Sequence, residues 1–150
     1  AEMNPAIICA GLTTVPFVVE ELGLDFFEPG DVIVHNDPYR GSCHMPEHLL
    51  LKPIFHDDEL VAFSANIAHV AEIGGMAPGS FAATATEVFQ EGLRLPPVKL
   101  MRRGEYVKDL WRLVLANHRT PDASWGDFHA MIVTEQGNCR SCPVLRSQLG

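Results

Sequence analysis

Two imidazoles and a carboxylate lie within the five residues His44–His48, which read HMPEH. Imidazole nitrogens and carboxylate oxygens are ligands that Zn²⁺, Mn²⁺ and Fe²⁺ accept in proteins. A solvated turn is the alternative interpretation of so polar a stretch. If an ion is bound here, a residue elsewhere in the chain must complete its coordination.

The spacing H-x-x-E-H occurs in one class of zinc peptidases, where the motif lies on a helix. Pro46 stands inside the motif here, where it would remove a backbone donor and clash with the preceding helical turn. On an extended chain, His44 and His48 do not share a face as they would on a helix. We therefore set the peptidase interpretation aside.

A β-hairpin is predicted directly after the motif. Residues 49–55 and 60–70 have the composition of strands, and the polar residues 56–59 between them form a turn. Pro53 indicates that the first strand lies at a sheet edge or carries a bulge, because proline cannot donate to a strand ladder.

The register of this hairpin predicts where the missing ligand lies. Matching the more apolar faces gives the pairs Phe55–Val61, Pro53–Phe63, Leu51–Ala65 and Leu49–Ile67. One further step places His69 opposite Glu47, and directly opposed Cβ atoms lie about 4.5–5.5 Å apart. His44, three residues before Glu47, can reach the same point. His44, Glu47 and His69 are therefore a candidate metal site; the alternative is that His69 merely ends a strand and His44–Glu47 form a solvated turn.

The remaining pattern favours an α+β fold, with a mixed or antiparallel sheet, the hairpin near residues 48–70, and helices packed against it from the second half. In the helix predicted over residues 81–91, Ser80 is the N-cap and Gly92 follows the last helical residue. The predicted elements are a helix over 14–22, a strand over 32–34, an irregular segment over 38–46, a helix over 81–91, an extended segment over 93–100, a helix over 107–117, a loop over 118–127 and the start of a helix over 127–132.

Composition excludes several function classes. The formal charge of −8 argues against nucleic acid or an anionic membrane surface as the main partner, and no apolar run approaches a membrane span. Four unevenly spaced cysteines favour a reducing, cytoplasmic compartment over a disulfide scaffold. The first residue is not Met, and the opening residues read as the interior of a longer polypeptide. We therefore expect residues 1–150 to be a single partial domain.

Four motifs, from about Gly30 to Ala130, resemble the hydantoinase B/oxoprolinase family in order and spacing. They are GDVIVHNDPYRGSCHMPEH, IAHVAEIGGMAPGS, EGLRLPPVKL and NHRTPDASWGDFHA. The resemblance implies an internal piece of a much longer subunit, which works with a hydantoinase A-like ATP-binding partner. Family members open cyclic amides (5-oxoprolinases, N-methylhydantoinases, lactam hydrolases) or carboxylate acetone and acetophenone. The tail, residues 133–150, does not resemble the family.

The resemblance also implies a divalent metal, Zn, Mn or Fe, on an H-x-x-D segment and a downstream histidine. These positions fall on His44, Glu47 and His69. The family commonly has Asp in place of Glu47, and a small polar residue in place of Cys43.

Asp37 and Glu72 fall in neighbouring motif positions, and we expect them to be catalytic or to orient the site. A turn residue and a solvated loop residue are the respective alternatives. The sequence has no G-x-x-x-x-G-K-[ST] loop, so we expect ATP on the partner chain. Cys139-x-x-Cys142 lacks a second pair and predicts no metal site. A structural or assembly fragment without activity is the non-enzymatic alternative.

Overall fold

The computed structural model describes residues 5–141, and side chains over residues 13–135. Its helices and strands are α1 (Pro5–Leu22), β1 (Val32–His35), β2 (Glu47–His56), β3 (Glu59–His69), β4 (Val98–Arg102), β5 (Glu105–Tyr106), α2 (Lys108–Asn117) and α3 (Pro121–Ser141). None of these described helices is both long enough and apolar enough to cross a membrane. The side chains of the Cys139-x-x-Cys142 pair and most of the predicted atypical tail lie outside the described residues.

The five strands form one antiparallel sheet in the order β3-β2-β1-β4-β5. Side chains alternate between its faces, so Ile33 and Leu49 pack towards α1. Val34 and Leu50 pack on the opposite face, with Phe128 of α3 and other residues of α2 and α3. The α+β prediction is confirmed, with two of the three described helices in the second half of the chain.

The hairpin of β2 and β3 pairs as predicted over most of its length. Four predicted pairs are confirmed: Glu47–His69, Leu49–Ile67, Leu51–Ala65 and Pro53–Phe63. The fifth is wrong, because Phe55 pairs with Leu60 and not with Val61. The turn residues Asp57 and Asp58 both have positive φ, 48° and 65°, as a tight two-residue hairpin turn requires. This turn sets the residue pairs at the closed end of the hairpin, and the apolar faces set the pairs at the open end. A bulge between Ile54 and Phe55 accommodates the difference in register between the two ends.

Pro53 lies where a strand tolerates proline. Strand β1 pairs with β2 only as far as Leu51, so Pro53 lies beyond the paired stretch on that side. The register shift between Ile54 and Phe55 follows immediately. The prediction of an edge or a bulge is therefore confirmed locally, although β2 is an inner strand of the sheet.

The helix predicted over residues 81–91 is wrong. This segment holds only a 3-10 turn at Val88–Gln90 and follows another at Pro78–Ser80. The Ser80 hydroxyl accepts a hydrogen bond from the Ile73 N–H (2.7 Å) instead of capping a helix. Phe81 and Phe89 are both exposed, so the segment has no buried apolar face that would stabilise a helix.

Two further expectations for the second half need correction. The loop predicted over residues 118–127 is largely helical, because α3 begins at Pro121. Proline fits the first turn of a helix, and Asp122 there interacts favourably with the helix dipole. The extended segment is a strand shifted to Val98–Arg102, and the short strand β5 that pairs with it was not predicted.

Candidate metal centre

The candidate site lies at the open end of the β2–β3 hairpin. Glu47 is the first residue of β2 and pairs with His69, the last residue of β3, so their side chains lie on the same face. The Glu47 N–H donates to the carbonyl of His44 (3.1 Å), and the Val70 N–H donates to the carbonyl of Pro46 (2.9 Å). These bonds turn the chain back on itself and bring the His44 side chain over Glu47.

Two ligand atoms of this site are buried without a hydrogen-bond partner in the described structure. They are Nδ1 of His44 and Oε2 of Glu47, which lie 3.7 Å apart. Leaving a buried polar atom unpaired costs roughly 1–3 kcal/mol, and more for a charged group. A cation between the two atoms would satisfy both, so the donor set fits a divalent metal.

His69, the third member of the trio predicted from the sequence, is exposed and less close, because the ligand atoms of His44, Glu47 and His69 do not all lie within 4.8 Å of one another. Its ring centroid lies 5.1 Å from that of His44, and its ring stacks on Phe81 at 5.7 Å with an interplanar angle of 11°. Burial lowers the pKa of His69, and the neighbouring His44 lowers it further, while Glu47 opposes the shift. A lowered pKa favours the neutral imidazole, which is the form that binds metal ions.

Sequence analysis missed Cys43 as a member of the site. The sulfur of Cys43, a ring nitrogen of His44 and a carboxylate oxygen of Glu47 all lie within 4.8 Å of one another. No other group of three or more potential ligands this close occurs among the described residues. The signal was present in the sequence, since Cys43 is a ligand-capable residue next to His44.

Glu72 lies three residues after His69 and is buried, but its described contacts are made with a loop. It accepts hydrogen bonds from the N–H groups of Gly74 and Gly79 (3.4 Å for the latter) and from Arg119 (3.2 and 3.3 Å). Burial acts to raise the pKa of Glu72, but these donors outweigh it, so its pKa is lowered. Glu72 therefore carries a charge that organises the loop over residues 73–80.

Asp37 is also buried and caps the 3-10 turn Pro38–Arg40. Its Oδ1 accepts from the Tyr39 N–H at 3.0 Å, and its Oδ2 pairs with Arg40 at 2.5 Å and with Arg94 at 3.8 Å. The structure thus places Asp37 and Glu72 beside the loops of the site. The described contacts do not join either residue to the histidine–glutamate trio.

Asn36 is a second residue that sequence analysis missed. Its side chain is buried, and its amide donates to the carbonyls of Met45 (2.8 Å) and Leu93 (3.0 Å). Its Oδ1 accepts from the Leu95 N–H at 2.6 Å. Asn36 therefore anchors the segment that carries His44. The sequence Asn-Asp-Pro indicated only a turn, and the partners of Asn36 could not be predicted because they lie up to 59 residues away.

A pocket of about 220 Å³ opens directly beside His44. Its walls are mainly apolar, so it suits a small molecule with an apolar body next to the candidate ligands. The lining residues are His44, Pro46, Ser80, Phe81, Ala82, Ala83 and Glu91.

Comparison with known families decides which proteins this arrangement belongs with. The Hydantoinase B/oxoprolinase family matches residues 2–141, nearly the whole chain. The chain belongs to the hydantoinase B/oxoprolinase family.

Individual relatives include enzymes of two kinds. The chain is 41% identical over 106 residues to the caprolactamase subunit beta of Pseudomonas jessenii, covering 71% of this chain and 18% of the relative. It is 35% identical over 121 residues to the acetophenone carboxylase delta subunit of Aromatoleum aromaticum, covering 80% of this chain and 18% of the relative. These hydantoinase B family relatives are therefore subunits of amide-hydrolysing and carboxylating enzymes.

The fold is also similar to a solved member of the family. The crystal structure of the ATP-dependent caprolactamase from Pseudomonas jessenii superposes with a TM-score of 0.87 and 32% identity. The superposition covers 95% of this chain and 24% of that chain. The chain thus spans only about a fifth to a quarter of the length of these three relatives.

Proposed function

We propose that this chain is part of the metal-binding subunit of an ATP-dependent cyclic-amide hydrolase, of the 5-oxoprolinase, N-methylhydantoinase or lactamase type. Its partner would be a hydantoinase A-like, ATP-binding chain or domain in the cytoplasm. The observation that carries the proposal is the meeting of His44 and Glu47, two of whose ligand atoms are buried without a hydrogen-bond partner, with His69 paired opposite Glu47 in the hairpin. The similarity to a caprolactamase subunit supports the substrate class.

The three side chains would hold a divalent ion, Zn, Mn or Fe, which would supply Lewis-acid polarisation of an amide carbonyl. Glu47 is the buried anion of the set, and its burial strengthens its attraction for a cation. His44 and His69 approach from the loop and from β3, so the site depends on the hairpin register. ATP on the partner would supply the free energy that opening a stabilised amide requires.

Other residues would shape the space where substrate lies. Phe81 stacks on His69 and, with Ala82, gives the adjoining pocket an apolar wall that would contact a small ring. Glu72 holds the loop that leads to Phe81. Asp37 holds the turn that precedes His44. We therefore assign Glu72 and Asp37 positioning roles in catalysis.

The test uses the full-length subunit purified with its partner. We expect ATP-dependent opening of caprolactam or 5-oxoproline, measured as the ring-opened amino acid and ADP, and loss of that activity in His69→Ala. His56→Ala, at the end of β2 far from the candidate site, is the matched control and should retain activity. Absence of ring opening for every cyclic amide tested would contradict the hydrolase assignment.

A ketone carboxylase is the second candidate, because the similarity to the acetophenone carboxylase delta subunit covers 80% of the chain. Bicarbonate- and ATP-dependent consumption of acetophenone or acetone by the same preparation would identify it. Both candidates use the same metal site, so the substrate panel separates them.

A further inference from the structure

We propose that Cys43 supplies a thiolate ligand to the metal site described above, so that this chain favours thiophilic ions such as Zn²⁺ over Mn²⁺. The inference rests on the proposed function and deepens it, because it states which metal the site selects.

The geometry brings the sulfur within reach of the same ion. The ligand atoms of Cys43, His44 and Glu47 all lie within 4.8 Å of one another. Ligand atoms bound tetrahedrally to one zinc ion, with bonds of about 2.0–2.3 Å, lie roughly 3.3–3.8 Å apart. Cys43 is exposed, so a change of its rotamer can close the remaining gap without disturbing packed neighbours.

Unpartnered buried atoms on Glu47 and His44 point independently to a ligand. Glu47 is only 3% exposed, yet its Oε2 has no hydrogen-bond partner in the described structure. Nδ1 of His44 is buried and unpartnered in the same way. A cysteine that was simply on the surface would not account for these two atoms, whereas an ion shared by all three residues would.

The backbone around Cys43 is held in place on both sides. The Ser42 N–H donates to the carbonyl of Asp37 (3.3 Å), and the Ser42 hydroxyl donates to the carbonyl of Glu47 (3.3 Å). The Glu47 N–H donates to the carbonyl of His44 (3.1 Å). Cys43 therefore occupies a fixed position in a tight loop, and only its side chain needs to move.

The chemistry sets the metal preference. Thiolate is a soft ligand that suits zinc and cobalt, whereas carboxylate and water suit Mn²⁺. Binding of the ion to Cys43 forms one metal–sulfur bond and releases the thiol proton to solvent. A set of Cys43, Glu47 and two histidines would give Zn²⁺ four protein ligands, and expansion to five-coordination would admit the substrate carbonyl.

Cobalt substitution tests the inference without any assay of activity. The chain would be titrated with Co²⁺, and the near-ultraviolet thiolate-to-cobalt charge-transfer band recorded. We expect the band in the wild type and its loss in Cys43→Ser. We also expect Cys43→Ser to weaken Zn²⁺ binding at least about tenfold and to leave Mn²⁺ binding nearly unchanged. The matched control is Cys139→Ser with Cys142→Ser, which should keep the band.

The other outcomes separate this inference from the proposed function. A band that survives in Cys43→Ser and disappears in the Cys139 and Cys142 double variant would overturn the role of Cys43. Cobalt bound without a thiolate band, and lost in His69→Ala, would overturn Cys43 while supporting the site of His44, Glu47 and His69. Absence of cobalt binding in the wild type would overturn both.

Discussion

Several buried side-chain atoms have no hydrogen-bond partner in the described structure, and they occur both at the hairpin end and in the core. Glu47 and His44 present such atoms to one another at the hairpin end, where an ion would satisfy them. His48 and His118 also have an unpaired Nε2 inside the core, but their rings lie against Phe128. Unpaired groups at the hairpin end indicate a ligand, whereas those in the core make the fold sensitive to acid.

The acid sensitivity of His118 gives a prediction about pH. Burial lowers the pKa of His118 below its ordinary value of 6.5, and only the charge of Glu72 opposes the shift. Below about pH 6.5, His118 therefore becomes protonated in the unfolded chain but stays neutral in the folded chain. Because the unfolded state binds the additional proton, the free energy of unfolding falls as the pH falls. The slope contributed by one such group is at most about 1.4 kcal/mol per pH unit. Chemical denaturation at pH 7 and pH 5 should show a smaller loss of stability in His118→Asn than in the wild type.

The replacement Asn can keep a hydrogen bond to Ser124, which now lies 2.9 Å from Nδ1 of His118. His56→Asn, at the end of β2 beside the hairpin turn, is the control and should retain the wild-type pH slope. Equal pH dependence of the unfolding free energy in all three proteins would show that the folded state does not lower the pKa of His118.

Two features of the secondary structure position the site. They are the register of the hairpin and the loop over residues 73–80. This loop joins the end of β3 to the segment that carries Phe81. Gly74 has φ +85°, and a Cβ built there would lie 2.5 Å from the carbonyl oxygen of Asn117, at the end of α2. Gly79 has a similar φ of +76° with no atom within 4 Å of such a Cβ. The loop therefore packs closely against the end of α2 at Gly74, whereas a side chain at Gly79 would meet no neighbouring atom.

These two glycines allow a matched prediction. Gly79→Ala should cost about 1–2 kcal/mol, the ordinary penalty of a left-handed conformation for a residue with a Cβ. Gly74→Ala should cost clearly more, because the added methyl group meets the backbone oxygen of Asn117. The free energy of unfolding, measured by urea denaturation, checks the difference. Equal losses in the two variants would show that the loop does not depend on its contact with α2.

Elements whose pattern is set by burial could be predicted from the sequence, and those set by distant contacts could not. The period of two in β2 and β3 placed Glu47 opposite His69, because a one-residue slip would expose the apolar face. The segment over residues 81–91 has helix-compatible residues, but it packs no apolar stripe on the sheet. Asn36 was missed for the same reason, since its partners lie at Leu93 and Leu95.

At the scale of the whole molecule, the site lies at one end of the sheet, and this chain contributes only part of a much longer family architecture. The predicted ligands, Cys43 and the residues that line the adjoining pocket all lie within residues 43–91. Metal binding by this chain alone is the consequence that can be measured.

The most direct measurement is the metal content of the purified chain after reconstitution with Zn²⁺ and removal of excess ion. We predict about one ion per chain in the wild type and in the control His56→Ala, with circular dichroism confirming that each variant is folded. Glu47→Gln and His69→Ala should each hold almost none. Equal metal content in all four proteins, or none in the wild type, would contradict a metal centre at the end of the hairpin.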